Sequence, residues 1–193
     1  MTLKPSSPAE LYLALLHYPV INKSGEIVAS AVTNLDLHDI ARAARTYGAA
    51  GFYVVTPLED QQALVERIVT HWTVGGGSRY NPKRAEAMAL IRVQRTLDDT
   101  REDIVRTGGQ EPEIVLTSAR SRQPEINFEK LRSLLTRQPV LLVFGTAWGL
   151  ADEILGPEGY PVLTPIEAGS DYNHLSVRSA VSIILDRLVA NKV

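Results

Sequence analysis

The chain has 193 residues, 45% hydrophobic and 22% charged, which suits one soluble globular domain. Its 20 basic and 22 acidic side chains leave a net charge of −2, so a nucleic-acid partner must meet a local basic patch and not a global field. The absence of Cys excludes disulfides and thiolate chemistry, the four His residues lack metal-ligand spacing, and no apolar run reaches leader or membrane-spanning character, so a cytoplasmic protein without metal or membrane is expected.

Residues 1–10 read as a disordered lead, and Leu11–Tyr18 is an apolar run of strand length. Pro19–Thr33 reads as a loop or lid. Asp36 is placed to cap a helix that runs to Tyr47 and stops at Gly48. Gly51–Val55 is a second buried strand. Glu59–Trp72 has helical periodicity through Leu64, Val65, Ile68 and Val69. Thr73–Tyr80, "TVGGGSRY", reads as a flexible loop. Asn81-Pro82 then caps a helix reaching about Ile91, because Pro suits the first helical position. A strand over Val93–Leu97 and a polar helix over Asp98–Arg106 follow. The later elements are strands Glu113–Leu116, Val140–Phe144 and Tyr160–Leu163, and helices Asn127–Arg137 and Asn173–Ala190. Strands and helices alternate, and the strands are continuous apolar runs. Both features predict a single α/β domain over residues 1–193, with a mostly parallel sheet flanked by helices.

Ligands of open parallel sheets bind beyond the carboxyl ends of the strands. Three loops of small, Gly and hydroxyl residues stand there. Thr117, Ser118 and Ala119 follow one strand, with Arg120 and Arg122 just beyond. Gly145, Thr146, Trp148 and Gly149 follow Phe144. Pro165 and Ile166 follow Leu163. Glycine directly after a strand lets backbone turn sharply and approach a ligand. No phosphate-cradling Gly-x-x-x-x-Gly-Lys-Ser/Thr is present, and no strand leads into Gly-x-Gly-x-x-Gly, which argues against an ordinary dehydrogenase.

Three segments carry a resemblance. Ile40–Gly48 followed by Phe52–Val55 gives a helix bearing Arg42, then Gly, then a strand. Leu142–Leu150 and Thr164–Gly169 with Asn173–Ala180 supply the other two. In these segments, and in that order, the chain resembles the SPOUT, or α/β-knot, RNA methyltransferases, nearest the branch of tRNA and rRNA ribose 2′-O-methyltransferases. The resemblance implies a C-terminal trefoil knot, S-adenosylmethionine as cofactor and a homodimer. It implies that the three loops hold the cofactor, together with Asn173, His174, Leu175, Ser176 and Ala180 of the third segment. Trp148, Leu163, Ile166 and Leu175 are expected to sandwich the adenine. Two positions depart from the family pattern. Thr146-Ala147 stands where an acidic residue usually follows the first Gly, and Asp36 or Asn34 stands where an Asn usually precedes the Arg. The acceptor chemistry is therefore less fixed than the cofactor.

Arg42 matches the family's motif Arg and is expected to orient a phosphate or stabilise developing negative charge. Asp36 and Glu167 are the candidate bases. Arg79, Lys83, Arg84, Arg92 and Arg95 face a single acid, Glu86, across residues 79–95. Of these, Arg79, Lys83 and Arg84, with Arg120 and Arg122, are expected to meet RNA phosphates. Trp72 and Tyr80 flank the glycine-rich stretch and are placed to stack on a base. The final helix is apolar around much of its circumference, so a second subunit is expected on its outer side. The leading expectation is an S-adenosylmethionine-dependent methyltransferase acting on tRNA or rRNA. A rival of another class is a catalytically silent cofactor-binding module that regulates RNA.

Overall fold

The three longest apolar runs become the centre of one parallel sheet, because each side chain in them meets protein on both faces. The computed structural model describes residues 10–155, 159–167, 169–170 and 172–189. The first nine residues of the expected lead, and Ala168 in the third loop, lie outside it. The strands in chain order are β1 (Leu11–Leu16), β2 (Val20–Ile21), β3 (Ile27–Val28), β4 (Gly51–Val55), β5 (Ile91–Gln94), β6 (Glu113–Thr117), β7 (Glu125–Ile126), β8 (Val140–Gly145) and β9 (Val162–Leu163). The helices are α1 (Asn34–Thr46), α2 (Glu59–Thr73), α3 (Gly76–Tyr80), α4 (Pro82–Met88), α5 (Leu97–Gly108), α6 (Phe128–Leu134), α7 (Asp152–Leu155) and α8 (Val177–Val189). Seven strands form the sheet in the order β5-β4-β1-β8-β6-β9-β7, every pairing parallel. The short pair β2-β3 is an antiparallel hairpin apart from it.

Alternation along β1 divides the core. Leu11, Leu13 and Leu15 join Phe52, Val54, Leu142 and Phe144 in a cluster completed by α1, α2, α4, α6 and α8. Tyr12, Ala14 and Leu16 join Tyr53, Val55, Leu141 and Val143 with Ile104 of α5 and Ile154 of α7. The sheet is thus covered on both faces, as the sequence pattern predicts. Burying each Leu, Val, Ile or Phe among them contributes about 1.5–3 kcal/mol.

Several boundaries move, each for a local reason. Thr33, not Asp36, caps α1, its hydroxyl accepting from the Asp36 amide at 3.3 Å. The expected strand over Val93–Leu97 lies at Ile91–Gln94, since Thr96 and Asp99 form a reciprocal cap that starts α5. Pro161 donates no ladder hydrogen bond, and β9 keeps only Val162–Leu163. The last helix begins at Val177, which leaves Asn173–Ser176 in a loop. The stretch 73–80, expected as a flexible loop, is mostly helical. Thr73 ends α2, and Gly76–Tyr80 form α3. A Cβ on Gly75 would stand 2.8 Å from the His71 carbonyl oxygen, and one on Gly77 would stand 2.7 Å from Trp72. Gly75 and Gly77 allow this close packing.

One polar network sits on the α5 face. The Tyr53 hydroxyl donates to Asp103 at 2.8 Å, Arg92 donates to both, and Arg106 closes on the second carboxylate oxygen. Burial acts to raise the Asp103 pKa, but Tyr53, Arg106 and Arg92 outweigh it and hold the carboxyl below its ordinary value. The stabilisation this gives is present above the unfolded pKa and is lost as pH falls through the folded one, in the acid range below about 4. Asp103→Ala strands the Tyr53 hydroxyl and Arg92, with an expected loss of about 3 kcal/mol. Thermal unfolding checks this, with a fall of roughly 6–12 °C in Tm.

Candidate cofactor and RNA site

The loops after β6, β8 and β9 are brought together by direct bonds. Thr117 donates from its hydroxyl to the Val143 carbonyl at 2.9 Å, fixing the first loop to β8. Ser118 accepts from the Arg120 amide at 3.0 Å. The Asn173 side-chain amide donates to the Ala119 carbonyl at 3.2 Å and so ties the third loop to the first. Trp148 and His174 meet edge to face at 6.2 Å and tie the second loop to the third. Tyr172 lies 6.2 Å from the same imidazole.

The second loop carries the unusual backbone. Ala147 has φ +51° and Gly149 φ +117°. A left-handed Ala costs energy and persists where its surroundings impose it, as at ligand-binding turns. Gly145 has a different role from the one its position suggests. A Cβ there would stand 2.8 Å from the Leu150 amide nitrogen and 3.0 Å from Leu150 Cγ. The space belongs to the loop's own return path. Gly149, by contrast, has nothing within 4 Å of a Cβ position. Its open backbone adjoins Trp148, which is 55% exposed and meets His174, and Leu175 next to that histidine in sequence is 44% exposed. Open main chain, an exposed indole and nearby hydroxyl and amide groups fit a flat, polar-edged adenosyl group. Phe144, Leu163 and Pro165 are buried and back the loops from beneath, while Ile166 packs on the core. Ser176 accepts from the Ser179 amide at 3.3 Å, and Ala180 lies half-buried in the first turn of α8.

The β2-β3 hairpin grips the second loop. The Trp148 amide donates to the Ile21 carbonyl and the Ile21 amide to the Gly149 carbonyl, both at 3.0 Å. The Ala151 amide donates to the Pro19 carbonyl at 3.2 Å. The expected Pro19–Thr33 loop is therefore an ordered clamp.

The three catalytic candidates do not share one face. Asp36 points toward α8, where Arg178 Nε lies 3.7 Å from it and 3.7 Å from Asp39. Arg42 is exposed on the opposite flank of α1. It lines a cavity of about 290 Å³ with Arg45, Asn81, Lys83, Arg84 and Glu86. Glu167 is exposed in the third loop. Lys83 and Arg84 thus join Arg42, whereas Arg120 and Arg122 stand by the β6 loop, with Arg122 paired to Asp152 at 2.8 Å. Arg79 is exposed on α3. Lys83 donates to Glu86 at 3.0 Å and holds that carboxyl below its ordinary value, with help from Arg45. Arg92 and Arg95 leave the expected basic stretch, since they pair with Asp103 and Glu59. Trp72 is also unavailable on one face, with the Arg84 guanidinium 4.8 Å above its ring, while Tyr80 is 87% exposed.

Beside this cavity a second, of about 470 Å³, is lined by Asn34, His38, Arg67, Ile68, His71 and Trp72. Burial, then the Arg84 charge, lowers the His38 pKa. Sequence reasoning missed Arg178 and the buried His17. Arg178 had a signal, being a cation within an otherwise apolar helical stretch. Among the described residues no cluster of His, Cys, Asp and Glu with metal-binding geometry occurs, and no helix is long and apolar enough to cross a membrane.

Residues 10–190 match a family model described as SAM-dependent RNA methyltransferase. The chain belongs to the S-adenosylmethionine-dependent RNA methyltransferase family. A member from Nitratidesulfovibrio vulgaris, named tRNA (guanine-N(1)-)-methyltransferase, is 50% identical over 185 residues, covering 94% of this chain and 42% of that protein. The chain therefore spans about two-fifths of the length of that relative. An uncharacterized protein of Aquifex aeolicus is 40% identical over 180 residues, covering 92% of this chain and 87% of its own length. The fold is shared with the SpoU methyltransferase AviRb from Streptomyces viridochromogenes, solved in complex with AdoMet, at TM-score 0.54 and 20% identity over 96% of this chain and 58% of that one. The expected S-adenosylmethionine-dependent RNA methyltransferase thus holds, as does the parallel sheet on which the three loops stand.

Proposed function

We propose that this chain transfers a methyl group from S-adenosylmethionine to tRNA, in the cytoplasm and as a homodimer, with the three loops threaded in the family's trefoil knot. The observation that carries the cofactor site is the pair of contacts joining the loops, Asn173 to Ala119 and Trp148 to His174. The name of the relative from Nitratidesulfovibrio vulgaris supports tRNA as the substrate class. Leu35 on α1 and Leu175 and Val189 around α8 remain exposed and support a second copy on that side.

When bound, the cofactor supplies an electrophilic methyl on a sulfonium sulfur. Thr117, Ser118, Ala119, Gly149, Trp148 and Asn173–Ser176 bind and orient the adenosyl end. Arg42, with Lys83 and Arg84 in the same cavity, holds an RNA phosphate and so sets the acceptor's approach. Arg79, Arg120 and Arg122 extend the phosphate track. Glu167, exposed beside the third loop, is the carboxylate best placed to take the acceptor's proton. Asp36 docks α1 on α8 through Arg178.

The test is calorimetric titration with S-adenosylmethionine, followed by tritium-methyl transfer to total tRNA. Saturable binding with label on tRNA is expected. Binding without label on any RNA would leave the silent module standing, and no binding would remove the cofactor reading. Sedimentation equilibrium checks the homodimer.

A further inference from the structure

His17 stands at the carboxyl end of β1, fully buried. Its amide donates to the Val55 carbonyl at 2.9 Å, and its carbonyl accepts from the Ser30 amide at 2.8 Å. Its ring enters a chain of three side chains. His17 Nδ1 lies 2.9 Å from Ser30 Oγ, which lies 2.5 Å from Thr146 Oγ1, which lies 3.0 Å from the Leu16 carbonyl oxygen.

Proton counting fixes the direction of this chain. A carbonyl only accepts, so Thr146 donates to Leu16. Thr146 has one proton, so its oxygen receives the proton of Ser30. Ser30 then has none left, and its oxygen receives Nδ1–H of His17. The imidazole is therefore held with Nδ1 protonated. Burial drives its pKa down to about 4, against the opposing charge of Asp36, so the ring is neutral at physiological pH. Nε2 is left buried without a partner. Burying an unmet acceptor costs free energy, and a plain apolar residue would fill the space without that cost. What the imidazole supplies is its side-chain hydrogen bond to Ser30, beside the backbone of Ser30 and Ala31.

That bond ends in the second loop. Thr146 directly precedes the left-handed Ala147, and Trp148, Gly149 and Ala151 are the residues gripped by the hairpin whose far end carries Ser30. We infer that His17 is a positioning residue, which fixes the Thr146 hydroxyl through Ser30 and so locks the Gly145–Leu150 loop in its cofactor-receiving shape. The inference rests on the cofactor reading above and concerns how the loop is held for it.

The experiment compares Ser30→Ala, Thr146→Val, His17→Asn and His17→Gln with the native chain. An Asn amide nitrogen occupies the place of Nδ1, whereas a Gln amide nitrogen reaches the place of Nε2. Hydrogen exchange of residues 146–151 is read without cofactor. Calorimetric Kd for S-adenosylmethionine, KM and kcat are read with it. Ser30→Ala, Thr146→Val and His17→Gln are expected to speed exchange of the Trp148 and Ala151 amides and to raise Kd and KM for the cofactor roughly tenfold, and in Ser30→Ala and His17→Gln kcat at saturation stays near native. His17→Asn is expected to restore native exchange and affinity. Native exchange and affinity in Ser30→Ala would overturn the inference, and so would a His17→Asn chain as impaired as His17→Gln. The two hydroxyl deletions decide the matter if the His17 variants fail to fold. If the native chain binds no S-adenosylmethionine, the cofactor reading fails, while the exchange data alone still decide whether the chain of bonds holds the loop.

Discussion

Gly145→Val is expected to weaken S-adenosylmethionine binding by roughly a hundredfold, because overpacking costs of 1–3 kcal/mol fall here on backbone that cannot step aside. The strain falls on the loop's own backbone. The added Cβ would stand 2.8 Å from the Leu150 amide nitrogen and 3.1 Å from the Gly149 carbonyl carbon. Leu150 is itself buried and bridges to Val20 of the hairpin. Relief therefore requires the whole 145–151 turn to lift, which separates Trp148 from His174 and loosens the three backbone bonds to the hairpin. The sheet beneath need not change, since Leu16 and Gly145 are the last paired positions of β1 and β8. Calorimetric titration should show the lost affinity, and thermal unfolding should show a fall of only a few degrees. Native affinity in this variant would mean that the loop's shape has no bearing on the cofactor.

The parallel sheet was legible because β1, β4 and β8 are unbroken apolar runs, and a strand covered on both faces needs no alternating pattern. The three loops were legible as candidates because their small, glycine and hydroxyl residues fall directly after the apolar strands β6, β8 and β9. Other features had no such signal. The hairpin strands are two residues each, too short to show a period. The glycines at 75 and 77 look mobile in sequence, yet their missing side chains are required by His71 and Trp72. Gly145 stands where the sequence suggests a close approach, and a Cβ there would press on Leu150, a contact no local pattern announces. The bonds that assemble the site span long separations, with Ser30 and Thr146 116 residues apart. No local pattern encodes such a pairing, so His17 reads in sequence as an isolated histidine behind an apolar strand. Basic residues were counted correctly but not apportioned, since the Asp103 and Glu59 that pair with Arg92 and Arg95 lie elsewhere in the chain.

Arg42→Ala is expected to leave S-adenosylmethionine affinity native while kcat falls roughly 10²-fold, because an acceptor no longer held through its phosphate loses the near-attack position. Two observations separate Arg42 from the cationic residues around it. Arg45 is held by Glu86 at 3.4 Å, and Lys83 by the same carboxylate at 3.0 Å, both as exposed pairs of small net worth. Arg84 is occupied over the Trp72 ring. Arg42 lines the same cavity beside all three. A phosphate entering there gains a contact whose geometry a shortened side chain cannot supply. If Arg42 meets RNA mainly through that phosphate, the salt dependence of tRNA binding should also flatten by about one counterion. Arg45→Ala serves as the control, with turnover changing little. Should Arg42→Ala turn over normally, the cavity on α1 is a solvated helix face, and the acceptor is positioned from the Arg120 and Arg122 side of the sheet.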